Sequence, residues 1–180
     1  MLSITVKGTE FFDEKSGEFH TTKDQVLNLE HSLISLSKWE GKYHKPFIGK
    51  GPENEEEMLD YVRCMTITQN VEPYVYRNLS SDNIMDIKKY MEDPMTATWF
   101  SDKRNPKTRQ KTVTAELIYY WMFRLNIPIQ FEKWHLNRLL TLIRLCNLED
   151  APKKKMKPKD IYKQNAELNR MRREQTHSNG

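Results

Sequence analysis

Cysteine is scarce in this chain, with two in 180 residues, and so is glycine, with six. Two cysteines far apart cannot build a disulfide framework, and neither can supply the closely spaced pair of a structural zinc site. Cys64 beside Arg63 and Cys146 near Arg144 each fall inside an apolar helical pattern, and both are expected to be buried free thiols. The few glycines form no phosphate-cradling loop: Gly49-Lys50-Gly51-Pro52 lacks the Ser or Thr that follows the lysine of such a loop. Long apolar runs are absent too, and none approaches the roughly 18 residues of a membrane span. Met1 to Glu10 alternates Leu2, Ile4 and Val6 with polar residues. A secretion signal has a basic start and a continuous apolar stretch instead, so the chain is expected to stay in the cytosol.

Catalytic patterns are equally sparse. The histidines are His20, His31, His44, His135 and His177, and no two have the spacing of a zinc helix. His31, His44 and Glu40 could be grouped as ligands only on paper. There is no Gly-x-Ser-x-Gly elbow. The run Glu53 to Glu57 lies where a helix starts, so it reads as capping and solubility rather than acid–base chemistry. The expectation is a protein without catalytic residues, metal or cofactor.

What the chain does have is charge, unevenly placed. Residues 151–180 hold nine Lys/Arg against three Asp/Glu, while residues 1–150 hold 20 against 22. The body is nearly neutral and the basicity belongs to the end. The composition changes at Ala151-Pro152-Lys153-Lys154-Lys155-Met156-Lys157-Pro158, which should be an extended linker. Residues 159–173 could form a lone helix with few apolar positions, Ile161, Tyr162, Leu168 and Met171. At that length it would be marginal by itself, so it is expected to be disordered or held by a partner.

The body reads as α+β, mainly helical. Residues 1–20 have the alternation of a β-hairpin, with a turn at Lys15-Ser16-Gly17-Glu18. Residues 21–40 leave strand and helix open, because short apolar runs do not settle the period. Residues 41–54 are punctuated by Gly and Pro as a loop. Asn54 caps the next helix, with Glu57 placed to reach back in a capping box, and that helix should end near Thr68. A short helix after Pro73 and another from Ser81, with Ile84, Ile87 and Met91 on one face, follow. Residues 101–111 form an exposed basic loop; Thr112 or Thr114 then opens a helix to Leu125. Glu132 to Asn147 carries the clearest stripe, Leu136, Leu139, Leu140 and Ile143, and should pack antiparallel to the helix before it. The expected architecture is an N-terminal β-hairpin or small sheet on a bundle of about five helices (1–150), then a mobile basic tail (151–180), disordered or helical on binding.

Two features point outward. Arg104, Lys107, Arg109 and Lys111 form one basic run and Lys153 to Lys159 another, as phosphate contacts require. The aromatics do not interleave with them along the chain, as stacking platforms want, so nucleic acid is not the expected partner. The second feature is Tyr119-Tyr120-Trp121-Met122-Phe123, which points all round its helix. Such a helix is either buried on most sides or offers a docking face.

The stretches LNLEHSLISLSKWEGKYHKPF (27–47), DYVRCMTIT (60–68), MTATWF (95–100), ELIYYWM (116–122) and NIPIQFEKWHLNRLLTLIRLCN (126–147) resemble tail assembly chaperones of long-tailed bacteriophages. The resemblance covers about the whole chain, and 31–47 and 126–147 are its more specific parts. It implies a non-enzymatic role in the host cytoplasm: coating the long, helical, aggregation-prone tape measure protein until tail-tube subunits polymerise around it, without remaining in the mature virion. The family pattern supplies no catalytic residues. Protein-binding roles are expected for Trp39, His44, Trp99, Trp121 and Trp134 in the body, and for Lys153, Lys154, Lys155, Lys157 and Lys159 in the tether. The tail would recruit the tail-tube protein or touch the tape measure protein; self-association stays open. Such proteins often have a longer form made by ribosomal frameshifting, and Pro152 to Lys155 is where a slippery A-rich run could lie. The alternatives are a structural virion protein of the tail or connector, and a nucleic-acid-binding phage protein.

Overall fold

Alternating apolar residues build the first elements. In a computed structural model, which describes residues 1–13, 17–100, 112–149 and 158–176, Leu2–Val6 (β1) pairs antiparallel with Gln25–Leu29 (β4). Glu10–Asp13 (β2) pairs with Glu18–Thr21 (β3). Both ladders keep one register, residue i facing residue 31 − i. The segment is therefore a single long ribbon interrupted near Gly8. The hairpin expected within 1–20 is present as β2 and β3, and the correction concerns β1, which pairs with β4 beyond that segment. Gly8 donates its N–H to Asp24 Oδ1 at 2.8 Å. A Cβ there would lie 2.2 Å from the Thr22 carbonyl oxygen, so no other residue fits without shifting the opposite strand. Ile4, Val6, Leu27 and Leu29 face inward. Later in the chain, just after the helix that ends at Met65, Ile67 N–H donates to Asn28 O at 2.8 Å and extends the pairing on the far side of β4.

Residues 21–40 resolve into β4 and then a helix. Ser32 caps Leu33–Tyr43 (α1): its hydroxyl accepts from Ser35 N–H at 3.3 Å and the Ser35 hydroxyl accepts from Ser32 N–H at 2.9 Å, a full capping box. His44 closes α1 in the left-handed region at φ 53°. The expected loop contains one turn, Phe47–Lys50 (α2), broken by the non-helical Ile48 and Gly49. Asn54 caps Glu55–Met65 (α3), accepting Glu57 N–H at 2.8 Å. The capping box expected there is only half formed. Glu57 takes the Glu53 N–H at 2.8 Å instead of that of Asn54, because its carboxylate also binds Lys45. The helix stops at Met65 rather than near Thr68, since the following residues pair with β4.

A 3-10 turn at Pro73–Asn78 leads to Ser81–Glu92 (α4), capped by Ser80 and Asn83 reciprocally. Thr114 caps Ala115–Arg124 (α5). Pro128 opens a 3-10 turn, Ile129–Lys133, so the last long helix of the body begins at Leu136 rather than Glu132 and runs to Glu149 (α6). Its stripe is as expected: Leu136, Leu139 and Ile143 are buried and Leu140 is half-buried. Helices α5 and α6 meet through side chains, Ile118 and Met122 with Leu136, Leu139 and Ile143, while the backbone of α5 lies against α1. Cys64 and Cys146 are free, but both are half-buried, which corrects the expected full burial.

Among its described residues the body thus carries five helices of ten or more residues with a small sheet, an α+β, mainly helical fold. Two apolar clusters fill it. The sheet-side cluster joins Ile4, Val6, Leu27 and Leu29 to Trp39, Tyr61, Val62, Met65, Ile87 and Tyr90. The helix-side cluster joins Leu33 and Leu36 to Ala115, Ile118, Met122, Leu136, Leu139 and Ile143. Each fully buried large side chain contributes about 1.5–3 kcal/mol. Helix α1 feeds both clusters.

Packing divides the chain into two units, Met1–Cys146 and Asn147–Gly180. In the second, Pro158–Thr176 (α7) is a helix of 19 residues, longer than the 159–173 expected. Proline at its first position suits a helix start. Tyr162, Leu168 and Met171 are exposed on it. Of the expected extended linker, 151–158, residues 151–157 lie outside the described residues, and Pro158 is corrected to the first residue of α7.

Candidate protein-binding surface

The aromatic run on α5 separates into faces. Met122 and Ile118 are buried, and Tyr119 and Trp121 are half-buried against the helix-side cluster. The Tyr119 hydroxyl donates to Glu132 Oε2 at 2.8 Å; burial first, then that hydrogen bond, raises its pKa. Phe123 is 85% exposed and Tyr120 53% exposed. The spacing Glu116, Tyr120, Phe123, Arg124 puts these on one solvent face. Trp99, in the irregular segment after α4, is 82% exposed. Trp134 is half-buried, stacked on Phe131 at 4.1 Å, with the Arg138 guanidinium 4.2 Å over its ring. Arg144 lies 4.0 Å over Phe100. Folding therefore brings Arg144 onto an aromatic face 44 residues away in the chain, while Arg138 covers Trp134 four residues before it.

The expected binding residues scatter. Trp39 is corrected: it is fully buried, its Nε1–H donates to Glu57 O at 3.0 Å, and its ring packs on Tyr43, Phe47 and Tyr61. A residue so enclosed holds the fold and offers nothing to a partner. His44 is exposed at the end of α1. Trp99, Trp121 and Trp134 keep accessible surface but lie on three different elements. Lys153, Lys154, Lys155 and Lys157 lie outside the described residues, as do Arg104, Lys107, Arg109 and Lys111; Lys159 falls in the first turn of α7. Among the described residues no group of three or more His, Cys, Asp or Glu could hold a metal ion, so His31, His44 and Glu40 are not assembled. No described helix is long and apolar enough to cross a membrane.

Sequence reasoning missed three polar ties. The Glu40 carboxylate, 6% exposed, accepts the backbone N–H of Phe47 at 2.8 Å and that of Ala115 at 2.7 Å, tying α1 to the next turn and to the start of α5. Asp60, also buried, meets Lys42, Tyr43 and Arg63. Burial opposes its ionisation, but the three hydrogen bonds outweigh burial and lower its pKa. The third tie is a seam around His31 and His135, buried with their ring centroids 5.2 Å apart. His31 Nδ1 is 2.5 Å from the Tyr61 hydroxyl, and His135 Nε2 is 3.0 Å from the Tyr90 carbonyl oxygen. Both histidines stand one residue before the first cap or turn of an apolar helix, which hints at burial. Nothing in their spacing announces that they meet.

In comparisons with known proteins, no family model, no curated protein and no solved structure matches the chain.

Proposed function

We propose that this protein is a bacteriophage tail assembly chaperone that binds and solubilises the tape measure protein through its exposed aromatic faces. The observation that carries the reading is α5, which fills the core with Ile118 and Met122 while presenting Tyr120 and Phe123 to solvent. A large aromatic side chain left 85% exposed forgoes burial it could otherwise gain. Apolar faces of a long helical rod would cover it, as helix-binding surfaces do. Each such contact is weak, and many copies along one rod supply the avidity. The basic segment 151–180 is assigned to recruiting the tail-tube protein or to an acidic stretch of the same rod.

Co-expression with the tape measure protein tests this. The intact chain should keep that protein soluble and co-purify with it, and the triple change Trp99→Ser, Tyr120→Ser, Phe123→Ser should abolish both while leaving the fold intact. The same exposed aromatics would suit a permanent virion component. Mass spectrometry of finished particles separates the two readings, since a chaperone is absent from them.

A further inference from the structure

The seam between the two apolar clusters is built from groups that tolerate only one protonation state. Leu29 belongs to the sheet-side cluster and Leu33 to the helix-side cluster, and His31 stands between them in the chain. The backbone there is also the attachment point of α6: Leu136 N–H donates to His31 O at 2.7 Å, and Ser32 and His135 form an isolated β-bridge. A carbonyl can only accept, so His135 carries its proton on Nε2 and gives it to Tyr90 O. Its Nδ1 is then a lone pair, buried and without a hydrogen-bond partner. On the other ring, Nδ1 of His31 is 2.5 Å from the Tyr61 hydroxyl, which also lies 3.5 Å from the Ser35 hydroxyl, itself donating to Ser32 O. Two neutral imidazoles, edge to face, satisfy this arrangement. A proton added to His135 Nδ1 meets no acceptor, and a second proton on His31 places a charge in the same buried seam.

The charged and titratable neighbours are few. Tyr61 comes from α3, and Tyr90 and Asp93 from α4 and its end. Glu30 lies beside His135 but is already engaged by the Tyr90 hydroxyl at 2.6 Å and the Met1 ammonium at 2.9 Å. Lys133 and Arg138 line the small pocket next to His135 together with Glu30, and both are cations. Glu30 and Asp93 favour a proton on His135, yet burial outweighs them and lowers its pKa. Burial, and then the neighbouring His135, pushes His31 down to about 3.

We propose that the His31–His135 pair is an acid-released latch: when a proton enters the pair, the start of α6 separates from the β4–α1 junction while the sheet-side cluster stays folded. Release would uncover Leu33, Leu36 and the inner face of α5, and so change which apolar surface the protein presents. The latch needs no assumption about the partner.

The test is amide hydrogen exchange of the full chain between about pH 7.5 and about pH 5, corrected for intrinsic rates, with the histidine ring signals followed in parallel by NMR. The expected result is an increase of about tenfold or more in exchange for Leu139 to Ile143, with Tyr61 to Met65 unchanged. In the double variant His31→Asn, His135→Gln the increase should vanish. Asn keeps both a donor and an acceptor for the Tyr61 hydroxyl, and Gln keeps a donor for Tyr90 O. If the double variant does not fold, His135→Gln alone should reduce the increase. The latch is overturned if α3 and α6 lose protection together, if α6 shows no acid response, if either ring titrates near its ordinary value with α6 undisturbed, or if the variants keep the full response.

Discussion

The two apolar clusters of the body are held in different ways. The sheet-side cluster is enclosed by β1 and β4, α1, α3 and α4, and polar contacts reinforce its edge: Trp39 to Glu57 O, Lys45 to Glu57, and Asp60 to its three donors. The helix-side cluster is built from side chains of α1, α5 and α6, and its ties to the rest lie at Glu40, at the histidine seam and at Asn137, whose Nδ2–H donates to Met91 O and Asp93 O. The polar ties named for the first span at most 18 residues along the chain, whereas those of the second span 30 or more. Removing a contact should therefore lower global stability in the first, and in the second should also loosen one element.

The comparison can be broken most forcefully at Trp39. Trp39→Ala should cost about 3–5 kcal/mol in denaturant unfolding, through the cavity and the lost indole hydrogen bond to Glu57 O. A small loss would mean that the sheet-side cluster does not depend on this side chain. Leu139→Ala, at the centre of the helix-side cluster, should cost about 2–5 kcal/mol. Because α1 serves both clusters, circular dichroism and tryptophan fluorescence should give one coincident transition for each variant; two transitions would separate the clusters.

Glu40→Gln should cost about 1–3 kcal/mol, because the amide nitrogen faces one of two buried N–H donors, and should raise hydrogen exchange at Ala115 more than at Met65. The pH dependence has a fixed sign. His31 and His135 have pKa values lowered by burial, so the unfolded state takes their protons first. Their contribution is complete above the ordinary histidine value of about 6.5 and is lost as pH falls below it, for His31 down to about 3. Asp60 and Glu57, with lowered pKa values, lose theirs only in the more acidic carboxylate range. A urea midpoint that falls between about pH 6.5 and about pH 5 belongs to the histidines, and a flat midpoint there would remove them from the account. The smallest effect is expected at Phe123→Ser, within about 0.5 kcal/mol in the same unfolding measurement, since the ring is 85% exposed.

Local pattern was a good guide where a helix buries one stripe. Leu136, Leu139 and Ile143 were readable from their spacing, and Asn54 and Thr114 from their positions before apolar segments. The partner of β1 was not readable, because pairing with β4 across the turn depends on contacts distant in sequence and on the break at Gly8. Trp39 looked like a surface anchor because a single aromatic between polar residues does not reveal which side of a helix is enclosed. The run at 119–123 pointed to both core and surface, and the fold assigns Met122 to one and Phe123 to the other. The histidine seam joins two helix starts that no periodicity connects.

Co-expression of the full chain with the tape measure protein tests the central claim most directly. The account predicts a soluble complex of the two proteins that is lost when Trp99, Tyr120 and Phe123 are changed together to serine. An insoluble tape measure protein with this chain eluting alone, or a complex that survives the three changes, would contradict it.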